Sequence, residues 1–275
     1  MPKLPLHFTK LSGAGNDFIL LDAAKLARGA SRPALARRLC PRRSSVGADG
    51  LLVLDRRGPG GIPFVDHYNA DGSRAFCANG SRCAAWWMYG RGWTGRRMRF
   101  LSSGKRVEAE VLGPRGPRRA RVRLGMPPVK MLKTVRLKAL GRSFSALLID
   151  AGVPHAVIGV AALERFPVEP VGRVLRRHKA LGKAGANIDF IRLERGLLRL
   201  RTYERGVEAE TLACGTGAVA AAAATWFWTR RRPPVRVAVL SGDVLSVSFL
   251  PGPGGVLSQV SLEGPAEIVF EGEFR

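Results

Sequence analysis

Two stretches of this chain, residues 81–89 and 218–228, are apolar on nearly every side, and a helix without a polar face has to be buried. Both follow the same device: Cys77-Ala78-Asn79-Gly80 precedes the first and Cys214-Gly215-Thr216-Gly217 the second. Most of the remaining sequence reads as short strands. Val122 and Leu124 alternate with Arg121 and Arg123, and Val235, Val237 and Val239 alternate with Arg236 and Ala238. Glycine and proline punctuate further predicted strands over 6–11, 18–22, 51–54, 65–68, 97–101, 107–112, 145–149, 188–193, 198–203, 244–249 and 266–270. The two cysteines lie half a chain length apart, so the simplest architecture is a duplication in which each half wraps strands around one central helix. The Gly125-Met126-Pro127-Pro128 segment is the expected crossover.

Composition removes several other classes. With 46% hydrophobic and 24% charged residues, the chain is neither disordered nor fibrous. Its most apolar stretch, 218–228, falls short of the roughly 20 residues that cross a bilayer, so no membrane partner is expected. MPKLPLHFTKL lacks the apolar core and cleavage site of a leader, which predicts a cytoplasmic protein. Cys40, Cys77, Cys83 and Cys214 form no Cys-x-x-Cys pair, so neither a structural zinc site nor a disulfide framework is expected. In a reducing compartment their thiols stay available for chemistry. The net charge of +24 raises nucleic acid as a partner, but the arginines are scattered in pairs and triplets, as at 37–38, 42–43 and 230–232. A solvated basic surface with salt-sensitive attraction to polyanions is expected, without specific nucleic-acid binding.

The duplicated cysteines suggest a chemistry. A helix N-terminus presents unpaired N–H groups and the positive end of the dipole, which stabilise a thiolate or a bound carboxylate. Gly80, Gly215 and Gly217 let backbone approach a ligand closely. Inverting a stereocentre needs a base on one face and an acid on the other, and a thiolate and a thiol supply both. If the halves face each other, Cys77 and Cys214 open on one cleft. A cysteine beside an apolar helix is also commonly a small buried hydrophobe, so these spacings alone leave both readings open.

Six ordered blocks decide between them. They are residues 8–18 (Phe8-Thr9-Lys10-Leu11-Ser12-Gly13-Ala14-Gly15-Asn16-Asp17-Phe18), Gly47-Ala48-Asp49-Gly50, the segment Tyr68 to Gly80, Gly152-Val153-Pro154-His155, Gly185-Ala186-Asn187, and Glu204 to Gly217. In these blocks the chain resembles the diaminopimelate epimerase family. That resemblance implies an α+β fold of two pseudo-symmetric domains, each a β-rich barrel-like sheet wrapped around a central helix. Residues 1–126 would form the half carrying Cys77 and 127–263 the half carrying Cys214, with the last strand, about 264–275, returning to the first half. It further implies conversion of LL-2,6-diaminopimelate to the meso isomer on the lysine and peptidoglycan route, with no pyridoxal phosphate, no metal and no other cofactor, in a homodimer. Cys77 and Cys214 would be catalytic. Asn16, Asn69, Asn187, Glu204 and Arg205 would hold the substrate's ammonium and carboxylate groups, joined by Ala78, Asn79, Gly215 and Thr216, with His155, Gly80 and Gly217 in support. Asp17 and Asp71 are expected to shape loops, and Cys40 and Cys83 to be structural.

Two departures bear on substrate range. Ala78 stands where the family typically has glycine, and its methyl crowds the ligand side of the first turn. Val153 stands where many members carry asparagine and cannot hydrogen-bond through its side chain. Val153 keeps open a racemase for another amino acid, such as histidine, on the same scaffold. Isomerases of the phenazine-biosynthesis type use a carboxylate where this chain has its cysteine pair, and a ligand sensor would have no need of two thiols. The charge alone supports a nucleic-acid-binding protein.

Overall fold

The computed structural model describes residues 5–114 and 116–275; the first four residues of the stretch read above for a leader lie outside them. The chain divides into two compact units, one of residues up to Leu124 with Gly264–Arg275, the other of Gly125–Glu263.

In the first unit, β1 (Leu6–Gly13) and β2 (Asn16–Asp22) form a hairpin, and β2 runs parallel to β3 (Gly50–Asp55). Next come β4 (Phe64–Asn69), with the short β5 (Arg74–Ala75) on it, then β6 (Arg97–Ser102), β7 (Lys105–Pro114) and β8 (Arg119–Gly125). The C-terminal part of the last strand, β17 (Val256–Phe274), pairs with β8 on one side and β1 on the other, which closes the ring. Two helices serve it: α1 (Arg32–Leu39) and α2 (Ala78–Gly90). Helix α2 packs against β1, β2, β3, β4 and β7 and is buried from Ala78 to Met88, as a helix without a polar face must be. On the outer side Leu35 and Leu39 of α1 join Ile19, Leu21, Leu51 and Val53. Strands covered on both faces read as continuous apolar runs, which accounts for Phe18–Leu21 and Leu51–Leu54.

The second unit repeats this topology. Its ring runs β9 (Val129–Ala139), β10 (Arg142–Asp150), β11 (Pro154–Gly159), β12 (Asn187–Glu194), β13 (Leu197–Glu204), β15 (Val235–Ala238), β16 (Val244–Pro251) and the N-terminal part of β17, which returns to β9. The short β14 (Ala209–Thr211) lies on β13, as β5 does on β4. Parallel and antiparallel pairings follow one another in the same order in both rings: β2/β3 and β4/β6 are parallel in the first, β11/β12 and β13/β15 in the second. Helix α4 (Gly215–Thr229) runs against β9 to β13, β15 and β16, and α3 (Val168–Leu175) covers the outside. The alanines from 220 to 224 are all fully buried, and their short side chains let strands approach α4 on every side. Arg230, in the left-handed conformation at φ 56°, ends it by returning its N–H to Trp226 O.

The α+β barrel-like fold read from the sequence is the one observed. Helices α1 and α3 were not expected. Each is only eight residues, and Pro33, Pro167 and Pro170 obscure them, although proline is tolerated in a first turn whose N–H groups lack partners anyway. Strands β9 and β11 and the first half of β17 were also missed. No helix among the described residues is long and apolar enough to cross a membrane.

Candidate active site

In the first unit, the β1–β2 turn is made by Ala14 and Gly15, both left-handed at φ 60° and 88°, the form that suits a two-residue hairpin. It delivers Asn16 at the start of β2. Cys77, extended at φ −133° and ψ 118°, is the N-cap of α2 and makes no side-chain capping bond. Its Sγ lies 3.7 Å from Asn16 Oδ1, which also accepts from Asn79 Nδ2 at 3.3 Å. Asn79 Oδ1 in turn accepts from the fully buried Arg82 at 2.8 Å, whose Nε donates to Pro265 O. A side chain at Gly13 would press on Asn79 O and Cys83 Sγ, both 3.0 Å from its Cβ, so the hairpin sits on α2 only because that residue is glycine.

Behind Asn16 stands an ion network. Asn16 Nδ2 donates to Asp49 Oδ2 at 2.6 Å, and Arg42 bridges Asp49 to Asp17. Lys10, almost wholly buried, pairs with Asp17 at 2.7 Å and donates to Gly47 O. Burial alone would raise the Asp17 carboxyl, but Arg42 and Lys10 overcome it and hold the group at about 2. Asp17 therefore does more than shape a loop. Asp71 does shape one, with its Oδ1 accepting from Ser73 N and Oγ at 2.8 and 2.6 Å. Asn69 belongs to the same turn, its Nδ2 donating to Ser73 Oγ at 2.9 Å. Gly80 packs in the first turn of α2 against Leu52 and Phe18. Ala78 is buried there as well.

In the second unit Cys214 is the N-cap of α4, and its Sγ accepts from Gly217 N at 3.4 Å and lies 3.5 Å from Thr216 Oγ1. Burial raises its thiol well above the ordinary value, the carboxylates of Glu204 and Asp189 raise it further, and the Thr216 and Gly217 bonds act the other way. Thr216 Oγ1 is 3.0 Å from His155 Nε2, and His155 Nδ1 is 2.6 Å from Asp189 Oδ2; His155 and Asp189 are both fully buried. Thr202 Oγ1 donates to Asp189 Oδ1 at 2.7 Å. Asn187 bridges His155 Nε2, 3.3 Å from its Nδ2, and the backbone N–H of Arg205, 2.7 Å from its Oδ1. Glu204 accepts from Thr211 Oγ1 at 3.0 Å. A Cβ at Gly217 would stand 2.7 Å from Asp189 Oδ1 and 3.1 Å from Thr202 Oγ1, so only glycine fits this turn. Gly215 is the first residue of α4.

Asp189 and Thr202 escaped the sequence reading. The signal was an acid between Ile188 and Phe190 in an otherwise apolar strand, where a buried carboxylate needs partners. Asp49 and Arg42 were missed because their role depends on residues brought together from distant segments. Cys40 and Cys83 are buried, and burial pushes their thiols up to about 11 and about 12, away from reactivity.

The diaminopimelate epimerase family model matches residues 147–250, which include His155, Asp189 and Cys214. The diaminopimelate epimerase of Aquifex aeolicus is 37% identical over 97% of this chain and 97% of its own length. That of Chlorobaculum tepidum is 37% identical over 95% of this chain and 98% of its own. Among solved structures, a probable proline racemase from Agrobacterium radiobacter K84 shares the fold with a TM-score of 0.73 at 15% identity, covering 98% of this chain and 93% of that one. A match of that identity along nearly the full length, with both cysteines at the N-termini of buried helices, makes the chain a member of the diaminopimelate epimerase family.

Proposed function

We propose that this protein interconverts LL-2,6-diaminopimelate and its meso isomer without a cofactor, using Cys77 and Cys214 as its two proton-transfer groups. The observation that carries the reading is the repetition: each unit caps a buried helix with a cysteine and surrounds it with amide, hydroxyl and backbone groups. One sulfur, as thiolate, takes the α-proton as the Cα–H bond breaks and becomes S–H. The other thiol gives its proton to the opposite face of the carbanion and is left as thiolate, so each turnover exchanges their states. Negative charge grows on the substrate carboxylate as the α-carbon loses its proton, and helix N–H groups aimed at it stabilise the transition state more than the ground state. Asn16, Asn69, Asn187, Glu204 and Arg205 hold the substrate's charged ends, with backbone from Ala78, Asn79, Gly215 and Thr216. The protein works as a cytoplasmic homodimer that supplies the lysine and peptidoglycan route.

The test is α-proton exchange. Reduced protein is incubated with LL-diaminopimelate in deuterated water, and NMR and chiral chromatography follow the product. Deuterium entering the meso product, abolished in Cys77→Ala and in Cys214→Ala, is the expected result. No exchange by folded wild type, together with exchange on a single-centre amino acid, would overturn the substrate and favour the racemase that Val153 suggests.

A further inference from the structure

The hydrogen-bond assignments around Cys214 can be fixed one after another. A backbone N–H only donates, so Arg205 N fixes Asn187 with Oδ1 toward it and Nδ2 toward His155. An amide nitrogen only donates, so His155 Nε2 accepts and carries no proton; a protonated ring would set N–H against N–H. The proton of the neutral ring is then on Nδ1, where Asp189 Oδ2 accepts it at 2.6 Å. Asp189 is held in turn by Thr202 on its other oxygen. With Nε2 an acceptor, the Thr216 hydroxyl donates to it at 3.0 Å, and the hydroxyl's lone pairs are left facing Cys214 Sγ at 3.5 Å.

Resting on the reaction proposed above, we infer that Asp189, supported by Thr202, is a positioning residue for proton transfer at Cys214: it fixes the His155 tautomer and through it the direction of the Thr216 hydroxyl. In this arrangement Cys214 donates its S–H to Thr216 and stands ready as the proton donor. When Cys214 is the thiolate, the Thr216 hydroxyl turns to donate to sulfur, and His155 Nε2 keeps the Asn187 donor. Both protonation states of the sulfur are thus accommodated by rotation of one hydroxyl, while the sulfur's own proton passes to or from the substrate α-carbon. Among the described residues, Asp189 on β12 and Glu204 on β13 act on Cys214 through their charges, and His155 on β11 reaches it through Thr216. Removing the Asp189 charge lowers the pH at which Cys214 ionises, since that charge acts against the thiolate.

The test combines turnover in both directions with two readouts that need no substrate. One is 15N NMR of histidine-labelled protein, which reports the His155 tautomer. The other is the pH dependence of Cys214 alkylation by iodoacetamide, followed on its peptide by mass spectrometry. Wild type is expected to show His155 protonated on Nδ1. Asp189→Asn is expected to lower kcat about tenfold or more with KM within about threefold, and to shift the Cys214 alkylation midpoint to lower pH. Thr202→Val should lower kcat by a smaller factor and disturb the His155 signals, and Thr202→Ser, which keeps the hydroxyl, should restore both. A wild-type ring protonated on Nε2 overturns the inference, as does a folded Asp189→Asn whose alkylation curve overlays that of wild type. If Asp189→Asn does not fold, the Thr202 pair decides through kcat and the NMR signals. Should wild type fail to exchange the α-proton of diaminopimelate, the proposed reaction falls, and the tautomer and alkylation curves still decide this assignment.

Discussion

Asp17→Asn tests whether the ion network behind Asn16 is held by charge or by shape. The Asp17 carboxyl sits at about 2 instead of 3.8 because, against the cost of burial, Arg42 and Lys10 bind its ionised form. At about 1.4 kcal/mol per pH unit, that difference contributes about 2.5 kcal/mol of folding free energy at neutral pH. A depressed carboxyl stabilises the fold above its unfolded value and loses that contribution as pH falls through its folded value. The window therefore runs from about pH 4 down to 2, and about 1.3 kcal/mol remains at pH 3. The substitution adds a second cost: Lys10, only 8% exposed, keeps its charge and loses its carboxylate. Urea unfolding of both proteins, followed by tryptophan fluorescence, should show Asp17→Asn less stable by about 2–4 kcal/mol at pH 7. The gap should narrow by about 1 kcal/mol between pH 5 and pH 3. Carboxylates that both proteins share cancel in the comparison. A gap that stays constant from pH 7 to 3 would show that packing, not charge, is what the side chain supplies. A gap under about 0.5 kcal/mol at pH 7 would show that desolvation cancels the ion pairs.

His67 in the same unit shifts in the same direction for the opposite reason, since burial disfavours its charged form and depresses the imidazole to about 4 from 6.5. A histidine depressed in the folded state binds fewer protons there than when unfolded, so stability should fall by up to about 3 kcal/mol as pH drops from 6.5 toward 4. His67→Gln should remove that slope in the same urea titration. Gly217→Ala forces a methyl onto the Asp189 carboxylate at 2.7 Å, an overpacking cost of about 1–3 kcal/mol against a helix-propensity gain of up to about 1 kcal/mol. Its Tm should drop by a few degrees and its kcat/KM about tenfold or more, whereas Gly90→Ala, whose Cβ meets nothing within 4 Å, should leave activity unchanged and not lower Tm.

The central helices could be read from sequence because burial on every side leaves no polar stripe, and the Cys-x-x-Gly segments marked where each begins. The strands could be read wherever one face met solvent, as in β8, or where both were covered, as in β3. Strand β9 could not: Lys130, Lys133, Arg136 and Lys138 dilute its alternation, and only Val129, Val135, Leu137 and Ala139 are buried. Helix α1 was hidden for a similar reason, since three arginines flank the few positions it buries. In the site, residues acting through local geometry were visible, namely the cysteines at helix starts and the glycines beside them. Residues acting through partners far along the chain were not. Asp49 reaches Asn16 from 33 residues away and Asp189 reaches His155 from 34, and no periodicity encodes such pairings.

The duplication also shows where the halves have diverged. Asp17 and His155 are each the second residue of the strand that leaves a hairpin and enters the first parallel pairing of its ring, so they occupy one topological position. In the first unit that position holds a carboxylate locked in its charged form by Arg42 and Lys10. The order it imposes passes through Asp49 to Asn16, which turns a carbonyl oxygen toward Cys77. A carbonyl oxygen can only accept, and Arg42 and Lys10 hold the Asp17 carboxyl behind it at about 2. In the second unit the position holds an imidazole, and the group beside it is a hydroxyl, which can accept from a thiol or donate to a thiolate. Cys214, with the Gly217 N–H and a rotatable Thr216 hydroxyl within reach, has groups that can meet either state without moving a heavy atom.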